Sequence, residues 1–171
     1  MLAIAVLLCG CHTTHRFGDA RIRDNWNFPL VAADYLYTKS VPVGYLTTNV
    51  LHVRKLPYPL YPTDLVLPIT LREAELKRDF PWEATRLRVD FLTPDGKVFF
   101  EREIDLSEAK HDIAYNAFST EPQLELRFRP VPVHLGTPDS KHTTYDIVVA
   151  VITPSRNPNH RVSFRADTVY R

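Results

Sequence analysis

Proline stands at fourteen positions of this chain and glycine at only five. The proline ring fixes φ and removes a backbone donor. It therefore breaks helix interiors and central strands and is confined to turns, loops and sheet edges. From Pro29 to Pro158 the chain is punctuated too often to hold many long helices. What remains between the breaks must be short extended segments.

Those segments carry the period-two alternation of strands. In Arg86-Leu87-Arg88-Val89-Asp90-Phe91 the apolar residues fall on one face, and residues 124–129 alternate in the same way. Thr93-Pro94-Asp95-Gly96-Lys97 places Asp-Gly between two apolar runs, which predicts a hairpin with a return strand over 98–104. Further strands are expected over 45–53, 65–71 and 161–170, with Pro68 marking an edge or a bulge. Residues 145–152 are nearly all apolar and predict a central strand buried on both faces. Helix signals are few: residues 71–80, ended by Pro81, and a turn or two begun at Ser107 before Tyr115. The expected fold is all-β, an antiparallel Ig-like β-sandwich of about seven to eight strands with one or two short helices. A barrel is the alternative.

The 171 residues suit one domain, and 21 basic against 20 acidic side chains leave a net charge of +1. That balance provides no overall field to gather nucleic acid or an anionic membrane. The only cysteines are Cys9 and Cys11, so the domain has to fold without disulfides and without a cysteine metal framework.

Both cysteines follow the apolar run Leu2-Ala3-Ile4-Ala5-Val6-Leu7-Leu8, which is too short to cross a bilayer as a helix and is suited to a signal-peptide core. Leu8-Cys9-Gly10-Cys11 resembles the bacterial lipobox, with Leu8 at the aliphatic position, Cys9 at the variable one, Gly10 at the small one and Cys11 as the modified cysteine. The resemblance implies a signal peptide over 1–10, a diacylglycerol thioether on Cys11 and a lipid anchor in the membrane. His12 in place of Asp after that cysteine implies the periplasmic face of the outer membrane. Residues 11–27, polar and rich in Arg and Asp, are expected to be a tether, with the β-sandwich domain over 28–171.

No catalytic motif stands out. His12 and His15 have no third ligand nearby in sequence, and a solvated segment accounts for them. His52, beside Arg54 and Lys55, reads as a surface histidine. Ser107 and His111-Asp112 are close in sequence, but a triad needs a spatial relay and an oxyanion hole. Glu101 and Glu103 share one face of one strand, whereas glycosidase carboxylates normally face each other across a cleft. The chain is therefore expected to be non-enzymatic, with no cofactor and no metal site.

Binding residues are expected in loops. Leu56-Pro57-Tyr58-Pro59-Leu60-Tyr61-Pro62 combines stiffness with tyrosines, a composition that suits partner contact at low entropic cost. A second tip lies over 153–161, and another stretch over 135–143. The candidate partner-binding residues are Tyr58, Tyr61, Arg156, Asn157 and His160. The functional expectation is a protein-binding module, an immunity-like inhibitor of an antibacterial effector. The alternatives are an accessory subunit of a secretion or envelope-assembly machine, and a small-ligand or glycan-binding lipoprotein that gathers Trp26, Trp82 and the tyrosines in a concave site.

Overall fold

Side-chain alternation builds the smaller of two antiparallel sheets. The computed structural model describes residues 14–27, 31–69, 84–108, 110–116, 123–129 and 141–169. Strand β7 (Arg86–Leu92) buries Leu87, Val89 and Phe91 and turns Arg86 and Arg88 outward. It runs through the 93–97 turn into β8 (Val98–Asp105). In that turn Gly96 adopts φ 84°, its amide donates to the Thr93 carbonyl at 2.8 Å, and the Thr93 amide donates to Lys97 at 2.9 Å. On its other side β7 pairs with β11 (Tyr145–Thr153), which pairs in turn with β5 (Thr48–Val53). The order is β5-β11-β7-β8.

The larger sheet takes β1 (Thr14–Phe17), β2 (Ala20–Asn27), β3 (Val31–Thr38), β12 (Arg161–Val169), β6 (Asp64–Ile69), β10 (Gln123–Arg129) and β9 (Lys110–Asn116) in that order. The two-residue β4 (Val41–Pro42) also pairs with β12. The two sheets face each other across one apolar layer. Ala20, Ile22, Leu36, Leu65, Leu67, Val162, Phe164 and Ala166 come from the larger sheet; Leu51, Val53, Leu87, Val89, Phe91, Tyr145, Ile147, Val149 and Ile104 come from the smaller. The fold is thus the expected all-β antiparallel sandwich.

Three expectations need correction. Residues 14–27 are not a tether: they form the β1–β2 hairpin of the larger sheet, with Ala20 and Ile22 inside the core. The polar residues misled because Arg21 lies between the inward Ala20 and Ile22 and Arg16 is exposed across from it, and a single-sided strand shows polar residues on its open face. Strand β11 is central but buried on one face only. Tyr145, Ile147, Val149 and Val151 point inward, while Val148 and Ala150 are half-buried and Ile152 is exposed. The helix begun at Ser107 is instead a turn followed by β9. The Asp105 carboxylate accepts from the Ser107 amide at 2.9 Å and from its hydroxyl at 2.6 Å, and so closes the turn. Pro68 lies in β6, a strand between two neighbours, but β12 pairs only with Asp64, Leu65 and Val66. At Pro68 the strand keeps β10 alone, so the proline sits where its missing donor has no second partner to miss. The helix expected over 71–80 lies outside the described residues.

One row of the larger sheet crosses its outward face from Arg16 through Arg21 and Tyr37 to Arg165 and Asp64. Arg165 is only 3% exposed, with its guanidinium 5.1 Å from the Tyr37 ring centre.

The two sheets are also clamped at one corner. The Asp19 amide donates to the His52 carbonyl at 2.7 Å, and its carboxylate accepts from the His52 amide at 2.9 Å. Both edge-facing groups of His52 are thereby satisfied on an otherwise open strand edge. Gly18 makes the approach possible: its φ is 72°, and any Cβ would collide with the His52 carbonyl. Gly96 has a similar φ but open space around it. Substituting alanine at each separates the two costs. Gly96→Ala is expected to lower stability by about 1 kcal/mol from backbone strain alone, and Gly18→Ala by roughly 3 kcal/mol because a collision adds to it. Urea midpoints of the two variants check this; equal losses would show that the corner does not need the close approach.

Candidate functional site

The outward face of the four-stranded sheet divides into two halves. On β7 and β8 it is charged and internally neutralised. Arg86 pairs with Glu103, and Arg88 reaches Asp90 and Glu101, each at 3.1 Å. These pairs follow from register: Arg88 lies opposite Glu103, and Asp90 opposite Glu101. The β5–β11 half is apolar. Val50 lies opposite Val148 and Thr48 opposite Ala150, with Ile152 beyond them.

The apolar half continues into one end of the sandwich. Tyr45 and Leu46 lie in the turn between β4 and β5, and Leu46 is 70% exposed, Tyr45 52%, Val50 47% and Ile152 41%. Beside that turn lies the 154–160 loop. The Ser155 amide donates to the Val43 carbonyl at 2.8 Å, and the Val43 amide donates to His160 at 2.9 Å. Gly44 sits against the backbone of Pro158, with no room for a Cβ. Within the loop, Ser155 Oγ lies 2.7 Å from His160 Nδ1 and accepts from the Asn157 amide at 3.3 Å, while Asn157 Oδ1 accepts from the Asn159 amide at 3.0 Å. The loop is held in one shape by its own polar side chains. Ser155 is buried. Its oxygen is committed to closing the loop, and the contact with His160 does not present a nucleophile to solvent.

A polar cluster borders the other end of the apolar strip. Asp146 Oδ1 accepts from Arg54 Nη1 at 2.6 Å and lies 2.9 Å from His52 Nδ1. Arg54 also donates to the carbonyls of Val53 and Tyr145, at 2.9 and 3.0 Å. Partial burial pushes the Asp146 carboxyl up, but the hydrogen bonds and charges of Arg54 and His52 outweigh it and hold the group below its ordinary value. A carboxylate so engaged is a fixed surface ion pair.

The sequence-predicted binding residues separate in the structure. Tyr61 is corrected: it is 7% exposed, with its ring 5.2 Å from that of Tyr145 and 6.2 Å from that of Phe91. Its hydroxyl donates to the His142 carbonyl at 3.1 Å and accepts from the His142 amide at 3.0 Å. Its loop carries the chain from one sheet to the other, and its tyrosine packs down into the core. Leu56 is buried too, and the Tyr145 hydroxyl donates to Leu60 at 2.5 Å. Burial and, secondarily, the Tyr61 hydroxyl push the Tyr145 phenol well above its ordinary range. Tyr58 remains half-buried in the same loop. Arg156, Asn157 and His160 are brought together, with Arg156 exposed and the other two half-buried. Cys11 and Trp82 lie outside the described residues, and Trp26 is placed only by its backbone pairing with Ala32. Tyr45, Leu46, Val50 and Ile152 were not among the expected site residues. The one available signal was Tyr45-Leu46 directly after Gly44, an apolar pair in a turn.

Between the sheets, a crevice of about 10 Å³ is lined by residues including Leu65, Phe164, Val89 and Phe100. That is room for about one water. Among the described residues no group of three His, Cys, Asp or Glu side chains could hold a metal ion. No family model, curated protein or solved structure matches this chain.

The Asp146 cluster makes a testable contribution to stability. Because folding lowers this pKa, the unfolded chain binds the proton more readily. The stabilisation is present above the ordinary carboxylate value and fades as pH falls through it toward the folded value. Asp146→Asn is expected to cost up to about 1 kcal/mol at neutral pH, with the gap to wild type closing under acid conditions. Thermal melts across that range read it, and a gap independent of pH would refute the ion-pair account.

Proposed function

We propose that this chain is a non-enzymatic, lipid-anchored protein-binding module of the periplasm, immunity-like in that it occludes a partner protein, and held at the outer membrane through Cys11. The observation that carries the binding part is that Tyr45, Leu46, Val50 and Ile152 are all exposed and lie on, or in the turn leading into, the paired strands β5 and β11. Scattered apolar residues are normal on a surface, but a contiguous set beside polar groups is the usual make-up of an interaction site. The flanking residues supply the rim: Arg156, Asn157 and His160 at one end, His52, Arg54 and Asp146 at the other. Both ends are tied by internal hydrogen bonds, so little ordering entropy is lost on binding. Tyr45, in the turn at one end of this set, offers wide contact area and a polar tip.

The anchor rests on the lipobox-like Leu8-Cys9-Gly10-Cys11. A multiply acylated cysteine holds a protein at a bilayer without a membrane-spanning helix.

Two outcomes are expected. With the partner in hand, Leu46→Asp/Ile152→Asp should weaken complex formation by at least about 100-fold, from removing two buried contacts. Tyr58→Ala, in the loop that packs on the core, should leave it within a fewfold. Calorimetric titration decides between them, and full binding by the double aspartate variant would remove this face from the reading. For the anchor, wild type should incorporate labelled palmitate and stay with membranes through a high-salt wash. Cys11→Ser should take up no label and wash off.

A further inference from the structure

The β1–β2 hairpin changes where a lipid anchor would leave the domain. A tether through residue 27 would hold the sandwich away from the bilayer, but the chain already enters the larger sheet at Thr14. Two residues, His12 and Thr13, and so three Cα–Cα steps, separate Cys11 from Thr14. Whatever course they take, they span at most about 11 Å, close to the screening length of about 8–10 Å at physiological salt.

The hairpin so placed is cationic on its outward face. Arg16 lies directly opposite Arg21 across the strand pair, and both are exposed. Like charges in opposed positions repel, and among the described residues neither arginine has an ion-pair partner. Asp19, in the hairpin's own turn, is turned to the His52 amide instead. Further along the row Tyr37 is followed by Arg165 before the first acid, Asp64. The neighbouring pair brings Arg23 opposite Thr14. An edge that opposes two arginines and leaves them uncompensated is complementary to an anionic surface.

We propose that the Arg16–Arg21 row of this hairpin docks on anionic phospholipid headgroups, so that the domain lies against the bilayer. The proposal rests on Cys11 as the anchor, which supplies the proximity; the charge pattern supplies the complementarity. It also orients the molecule. Arg21 and Ile22 point to opposite sides of the larger sheet, so the arginine row is on the outside of one sheet and the Val50–Ile152 strip on the outside of the other. With the arginines toward the headgroups, the apolar strip faces the aqueous space.

The test uses the full chain with Cys11→Ser, so that no acyl group contributes. It is sedimented with vesicles of phosphatidylcholine alone and of phosphatidylcholine with phosphatidylglycerol, at low and high salt. Binding is expected to the phosphatidylglycerol vesicles only and to fall with salt. One basic residue near a charged surface is worth about fivefold in partitioning, so Arg16→Gln/Arg21→Gln should lose about 25-fold. Arg16→Glu/Arg21→Glu should lose more. Both variants replace exposed side chains, and unchanged or higher melting temperatures show that they fold. Equal binding to the two vesicle types, no binding, or binding that survives the Gln pair overturns the proposal. So does retention on polyglutamate without preference for phosphatidylglycerol, which would give the face to an acidic protein. The anchor is read separately: if wild type takes up no palmitate while vesicle binding depends on the two arginines, the lipoprotein reading fails and the headgroup surface stands.

Discussion

The two sheets of this protein bury their inward apolar faces against each other. The rest of the structure depends on that single apolar layer. One end of it is aromatic: Tyr61, Phe91, Phe99 and Tyr145 lie within 6.2 Å of one another, centre to centre, in each pair. Two of these rings carry hydroxyls that would be costly to bury unpaired. Both find backbone partners in the chain around them, Tyr61 at His142 and Tyr145 at Leu60. The polar ends of the core aromatics thus fix the course of the proline-rich crossover and of the approach to β11. Without disulfides in the domain, this is how loops are tied to the sandwich.

Open strand edges are the second constraint. Strand β5 forms one rim of the smaller sheet, and its exposed edge is shortened at His52 by the Gly18–Asp19 corner. That corner joins the first hairpin of the larger sheet to the smaller sheet, so the N-terminal strands are part of the fold and not an appendage. The same hairpin places Arg16 and Arg21 outward at the rim. The hairpin and the corner form one mechanical unit. Any pull on the N-terminus is carried into the sheet and, through Asp19, into its partner.

The division of the outer β5–β11–β7–β8 face has a simple electrostatic origin. Cross-strand register puts arginines beside carboxylates on β7 and β8, and that half of the face satisfies itself. On β5 and β11 the outward residues between the His52–Asp146 pair and the 154–160 loop are Thr48, Val50, Val148, Ala150 and Ile152, and none of them is charged. A surface with one self-neutralised half and one apolar half is complementary to a partner that covers the apolar half and leaves the charged half to water. The pre-formed 154–160 loop, docked on Val43 and Gly44, gives that apolar half a rigid border.

The amino-acid order alone determined the class of fold. Proline spacing excluded long helices, alternation in 86–91 and 124–129 set strand faces, and Asp95-Gly96 placed a hairpin, because each of these signals is local and acts through φ, ψ or side-chain period. Cysteine placement likewise required a core without disulfides. The tertiary structure decided everything that depends on what lies across from a residue. Whether Arg16 to Arg23 form a spacer or a strand turns on whether Ala20 and Ile22 meet a second sheet. Tyr61 and Leu46 are both loop residues with large apolar side chains, and only packing made one a core ring and left the other exposed. Strand β11 reads as buried on both faces because Val148, Ala150 and Ile152 are as apolar as their inward neighbours. Hydrophobicity records what a side chain prefers, and the cover it receives is a property of the assembled sheets.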